Sequence, residues 1–150
     1  MTEMLDQGRA VLAKQGFSRL LGTELTAYAP GLAELRLTLT ADHTQQHGFA
    51  HGGVIAYLAD NALTYAGASA LGTGVLTLEM KINYTRPGLG ERLIARAEVL
   101  SAGRRQAVCQ CRVHALNAGV EKLVAVAQGT IVPATAATDM TASDTTDGGS

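Results

Sequence analysis

The run His51-Gly52-Gly53-Val54-Ile55-Ala56-Tyr57-Leu58-Ala59-Asp60 sets a carboxylate into an almost wholly apolar stretch that opens on a glycine pair. Between Val54 and Leu71 the clearly polar side chains are Asp60, Asn61, Thr64 and Ser69, together with the hydroxyls of Tyr57 and Tyr65. A helix that apolar belongs in a core. An ionised carboxylate in a core is costly unless something pairs it or uses it. Asp60 lies about two turns into the expected helix, too deep to cap it. Either another core group pairs it, or it is a general base or nucleophile in a mostly apolar pocket, where weak solvation makes a carboxylate a better base.

Gly52 and Gly53 fit either a plain turn before the helix or an exposed stretch of backbone that a ligand can approach closely. In the second case the first free amides of the helix point at an oxygen and stabilise charge developing on it. Asp60 follows Gly52 by eight residues, about two turns and ~12 Å along the axis. One chain cannot place that carboxylate beside that amide. A second copy, with its helix antiparallel across a dyad, can. The spacing therefore argues for a site shared between subunits.

His51 is a candidate base, but no Ser or Cys nucleophile accompanies it. The plainer role is positioning, through hydrogen bonds to its loop or to Gln45 or Gln46. His43 and His47 share that loop, yet no Cys or Glu joins them, so no metal site is expected. There is no G-x-S-x-G elbow and hence no basis for a Ser-His-Asp triad. Thr77 falls on the polar face of a strand, either as an ordinary sheet threonine or as a hydroxyl that orients an attacking water. Lys81, Arg86, Arg104 and Arg105 are scattered cations, each singly a solvated charge; a subset of them is able to hold a phosphate-rich ligand.

The elements that must position these residues are legible from periodicity. A short helix is expected over Leu5 to Lys14, followed by a lead-in segment docked by Phe17, Leu20 and Leu21. Strands at Leu25 to Tyr28 and Leu32 to Thr40 flank the turn at Pro30-Gly31 and form a hairpin. The long helix runs from about Gly53 to about Leu71 and stops at Gly72 and Gly74. Val75 to Thr85 alternates, with Leu76, Leu78, Met80, Ile82 and Tyr84 on one face. Strands at Glu91 to Leu100, Gln106 to Leu116 and Glu121 to Val132 follow, and the last four strands are expected to form an antiparallel meander. The expected class is α+β: one long helix wrapped by a curved antiparallel sheet of five to six strands. Residues 1–133 make one domain, and 134–150, rich in Thr, Ala, Asp and Gly, read as a disordered tail. Uncovered sheet and open edge strands invite a second subunit.

Composition narrows the partners. The 150-residue chain has a net charge of -1, 17% charged residues, 4% aromatics and no Trp, which argues against a nucleic-acid surface or a polybasic membrane patch. No apolar run reaches the ~18 residues of a membrane span. Met1 to Leu12 does not read as a signal peptide. Cys109 and Cys111 point the same way along one strand and read as small buried hydrophobes in a reducing compartment. A cytoplasmic protein is expected.

These residues carry a resemblance. Gln45-x-x-Gly48-x-x-His51-Gly52-Gly53 with Leu58-Ala59-Asp60, then Leu76 through Tyr84 with Arg86-Pro87, resembles the hotdog-fold acyl-CoA thioesterases of the phenylacetic-acid-degradation (PaaI-type) group. The resemblance covers about Leu20 to Val132. It implies a long helix wrapped by an antiparallel sheet, a homodimer with two composite sites, commonly paired again into a tetramer, and hydrolysis of acyl-CoA with no cofactor or metal. By the same resemblance Asp60 is the catalytic carboxylate, as general base or as nucleophile. The Gly52 N–H polarises the thioester carbonyl, His51 supports that amide, and Gln45 helps hold the acyl carbonyl or the water. Thr77 would come from the partner subunit to orient the nucleophile. Gly53, Lys81, Arg86, Arg104 and Arg105 are the candidates for contact with CoA. The acyl group is an aryl or a short to medium chain, with the hydroxyl of Tyr57 or Tyr65 a candidate selector. Two alternatives share the fold: a dehydratase or hydratase using His51 and Asp60, and a non-catalytic acyl-CoA-binding protein.

Overall fold

The long apolar helix forms where the sequence places it. In the computed structural model, which describes residues 2–72 and 74–135, it spans Gly52–Leu71 (α3) and ends at Gly72, whose left-handed backbone (φ 69°) lets its N–H reach Ala68 O. Two shorter helices, Thr2–Leu12 (α1) and Gly16–Leu21 (α2), precede the strands Thr23–Ala29 (β1) and Leu32–Thr38 (β2). After α3 come Val75–Tyr84 (β3), Arg92–Ala102 (β4), Ala107–Asn117 (β5) and Val120–Pro133 (β6). The six strands form one antiparallel sheet in the order β1-β2-β4-β5-β6-β3, which is the α+β class expected. The tail reading from residue 136 onward lies outside the described residues.

The concave face is apolar because the alternating positions of β2, β4 and β5 place Leu35, Leu37, Leu93, Ala95, Cys109, Cys111 and Val113 inward. They meet Ile55, Leu58, Ala59, Ala62, Leu63 and Ala66 of α3 in one core. The closest approach is at Gly67, where an added Cβ would lie 2.6 Å from Ile131 Cβ.

Three expectations change. First, the last four strands are not a simple meander. β3 pairs with β6 at the sheet edge, and Thr85 to Glu91 carries the chain across to β4, which pairs with β2. This link is pinned on the way, because Ala50 N–H donates to Gly88 O (2.8 Å). Second, β3 does not alternate throughout. Its register against β6 shifts between Thr77 and Glu79, so Leu78 is an inserted residue and is exposed. The bulge reverses the phase: Thr77 faces α3, as Met80 and Ile82 do, while Leu76 and Leu78 lie on the solvent side. Third, the lead-in segment is the helix α2; Leu21 packs on the core and Phe17 sits edge-on to Tyr57 (centroids 5.1 Å apart), but Leu20 is not docked, at 76% exposed.

Two expected outcomes test this packing. Gly67→Ala should destabilise by about 1–3 kcal/mol through overpacking against Ile131, seen as a lower urea midpoint at unchanged slope; an unchanged midpoint would mean that α3 can lift from β6 at no cost. Burial pushes the Cys109 thiol up to about 11 and the Cys111 thiol up to about 12. An aromatic disulfide reagent near neutral pH should therefore label neither thiol in the native protein and both after denaturation. Labelling of the native protein would show that the centre of the sheet opens.

Candidate active site

His51 begins the site. It is the N-cap of α3, in extended backbone, and its ring Nδ1 accepts the Gly53 N–H (2.9 Å). A Cβ on Gly53 would sit 3.0 Å from that Nδ1, so Gly53 makes room for the capping ring. With Nδ1 accepting, the ring proton of neutral His51 is on Nε2, which makes the exposed side of the ring a donor. The loop ahead of it is tied down: His51 N–H donates to His43 O (2.8 Å), and the buried His43 accepts the Thr40 N–H at Nδ1 (3.1 Å). His51 forms no hydrogen bond with Gln45 or Gln46.

The Gly52 N–H has no hydrogen-bond partner among the described residues. As the first amide of a 20-residue helix, it carries the positive end of the helix dipole. Gly52 borders a cavity of about 480 Å³ together with Gln45, Phe49, Tyr84 and Arg86. Gln45 makes the loop turn there. Its side-chain oxygen accepts the His47 N–H and its backbone oxygen accepts the Gly48 N–H (2.9 Å), while its Nε2 keeps no partner among the described residues. Tyr84 donates its hydroxyl to Gly52 O (3.0 Å). Tyr84 was not among the sequence candidates, because only the sheet register brings the end of β3 to the start of α3.

Asp60 lies further along α3 and is half-buried. Thr77 Oγ1 donates to Asp60 Oδ1 at 2.6 Å. Thr64, one turn on, donates its hydroxyl to Asp60 O (2.7 Å), and the Thr64 and Thr77 hydroxyl oxygens lie 3.2 Å apart. Oδ2 of Asp60 has no hydrogen-bond partner among the described residues, and no described cation forms an ion pair with the carboxylate. The result is a carboxylate held at one oxygen by a neutral donor and open at the other. Thr77 thus serves the Asp60 of its own chain, where the partner's residue was expected. The bulge in β3 is the physical reason, since it turns Thr77 toward the helix. Thr64 was legible in principle as the i+4 neighbour of Asp60.

The remaining candidates scatter. Arg86 is exposed at the rim of the Gly52 cavity. Lys81 lies against Gln110 and Gln128 on the convex face of the sheet. Arg104 and Arg105 sit in the β4–β5 turn, at the end of the sheet that carries Val75, opposite the end that carries Tyr84 and Gly52. Both tyrosine hydroxyls are engaged within the chain. The Tyr57 hydroxyl oxygen lies 2.6 Å from Ser18 Oγ and 2.9 Å from Thr23 Oγ1, and Tyr65 donates to Gly8 O (2.9 Å).

Comparison with known proteins places this arrangement. Residues 47–122 match the model of the thioesterase superfamily. Human acyl-coenzyme A thioesterase 13 is 32% identical over 120 residues, covering 78% of this chain and 84% of that protein. Among solved structures, a thioesterase family protein from Silicibacter pomeroyi superposes with a TM-score of 0.80 at 35% identity, covering 83% of this chain and 93% of that one. The E. coli PaaI protein, from the phenylacetic acid degradation operon, superposes with a TM-score of 0.76 at 26% identity, covering 85% and 91%. With its helix wrapped by a six-stranded antiparallel sheet, the chain belongs to the thioesterase superfamily.

Proposed function

We propose that this protein is an acyl-CoA thioesterase, hydrolysing an aryl- or short/medium-chain acyl-CoA to the free acid and CoA. The observation that carries the reading is the 2.6 Å bond from Thr77 to Asp60, which fixes a carboxylate with its second oxygen available. Relatives named as acyl-CoA thioesterases, in human and in E. coli, support the substrate class.

The site is completed by a second copy. Gly52 and Asp60 are ~12 Å apart along one helix axis, so the Gly52 amide that meets a given Asp60 comes from a partner whose α3 runs antiparallel. β3, paired on one side only, is the edge at which such a homodimer forms. The convex face, which carries Arg96 between Glu34 (2.8 Å) and Glu121 (2.8 Å), is left for pairing of dimers. A reducing cytoplasm suits the free Cys109 and Cys111.

In this site Asp60 either takes a proton from water as the water oxygen bonds to the carbonyl carbon, or attacks that carbon itself to give an anhydride that water then opens. In both routes negative charge develops on the carbonyl oxygen, where the partner's Gly52 N–H donates, with Gln45 Nε2 as a second donor. The C–S bond breaks and CoA leaves as the thiolate, a leaving group good enough to need no strong acid. Arg86, at the rim of the Gly52 cavity, is placed for a CoA phosphate. His51 positions the amide and, accepting at Nδ1, is not poised as the base that a dehydratase needs.

The test is thiol release from a panel of phenylacetyl-, benzoyl-, acetyl-, hexanoyl- and decanoyl-CoA. Asp60→Asn should lower kcat by about 10²-fold or more while leaving acyl-CoA affinity in place. Thr77→Val should lower kcat by about tenfold with little change in KM, and Thr77→Ser should recover most of the loss. A parent protein that hydrolyses no thioester would remove the proposal in favour of a binding or hydratase role. Full activity in Asp60→Asn would remove Asp60 from the mechanism.

A further inference from the structure

We infer that the acyl group lies in the groove between α1 and α3 of the chain that supplies Asp60, with Ala68 and Val11 setting the length it accepts; this rests on the thioesterase reading. The groove is a cavity of about 430 Å³, within the size range of small-molecule sites. Met4, Gly8 and Val11 of α1, Thr64 and Ala68 of α3, and Val75 of β3 line it, and none of the described lining residues is charged. The cavity at Gly52 is instead bordered by Arg86. An acyl tail and a phosphate-bearing CoA call for these opposite surroundings.

The groove starts where the carboxylate is held. Thr64, which lines it, donates to Asp60 O and lies 3.2 Å from Thr77 Oγ1. Val75, also lining it, is two residues before Thr77 on the same face of β3. A thioester carbonyl at Asp60 Oδ2 therefore has an uncharged channel on one side and the partner's amide and arginine on the other.

The outer wall is fixed. Gly8 is buried, and a Cβ there would lie 2.6 Å from Leu25 Cδ2 and 2.8 Å from Tyr28 Cδ1. Tyr65 OH holds Gly8 O at 2.9 Å. With the middle of α1 clamped, Met4 and Val11, one turn to either side, keep their places along the groove. Ala68 is a small half-buried residue of α3 on the same cavity, so a larger side chain there occupies acyl space. Val11 is 53% exposed, so trimming it lengthens the groove at little cost to the fold.

The experiment is the ratio of kcat/KM for decanoyl-CoA to that for acetyl-CoA in the full-length protein and in two variants. Ala68→Phe should lower the ratio about tenfold or more. Val11→Ala should raise it, and because this change is at the surface it decides the matter even where Ala68→Phe does not fold. An unchanged ratio in Val11→Ala together with equal losses for both substrates in Ala68→Phe would overturn the inference and leave the thioesterase reading standing. Parent protein active on acetyl-CoA alone would also overturn it. Parent protein active on no acyl-CoA would instead remove the underlying reading.

Discussion

Everything in this molecule answers to the need to enclose a helix that is apolar on nearly every side. The sheet covers one side of α3, with Gly67 against Ile131 at its tightest point. The opposite side cannot face water without exposing Tyr65 and Ala66, and the chain solves this by laying α1 over β1 and the C-terminal half of α3. The hydrogen bond from Tyr65 to Gly8 O and the edge-on packing of Tyr28 on Tyr65, with centroids 5.3 Å apart, lock that cover. The cavity described above is what the cover leaves unfilled.

The polar side chains of α3 sort by direction, and the sorting isolates one group. Tyr57 and Asn61 turn toward Gln15, Ser18 and Thr23, where they form a closed polar cluster under α2. Ser69 receives the Gly31 N–H at 2.8 Å and ties the first hairpin to the helix. Thr64 bonds backward to the helix itself. Each hydroxyl or amide is thus used by the scaffold. Asp60 is the one charged side chain of α3, and its Oδ2 has no hydrogen-bond partner among the described residues. Its partner Thr77 is neutral, and no described cation pairs with the carboxylate, in contrast to Glu34, held by Arg36 and Arg96 on the convex face.

Much of this was legible in sequence because it depends on local periodicity. The apolar run bounded by His51 and Gly72 marks α3 to within a residue, and strict alternation marks β2, β4 and β5. What escaped is non-local. Nothing in Val75 to Tyr84 states that the strand pairs with β6 rather than β4, since both pairings bury an alternating face equally well. The shift at Leu78 is invisible to a period-two reading, which assigns Thr77 to the outer face and the leucines to the core. Phe17 and Leu20 are hydrophobic without being buried, and composition alone cannot separate those cases. Among the site residues, Asp60, Gly52 and His51 stood out by chemical type. Tyr84 did not, because its contact with Gly52 exists only through the register of the sheet.

The irregularity in β3 also shapes what the free edge of the sheet can accept. A flat outer strand is a general template on which any extended peptide can add a row of hydrogen bonds. Here the inserted Leu78 breaks the even spacing of donors and acceptors partway along. A regular strand laid against this edge matches it on one side of the break and falls out of step on the other. A strand with the same interruption, aligned about a twofold axis, meets each irregular stretch in an equivalent environment. The residue that aims Thr77 at the carboxylate therefore also makes this edge a poor template for open-ended accretion of regular strands.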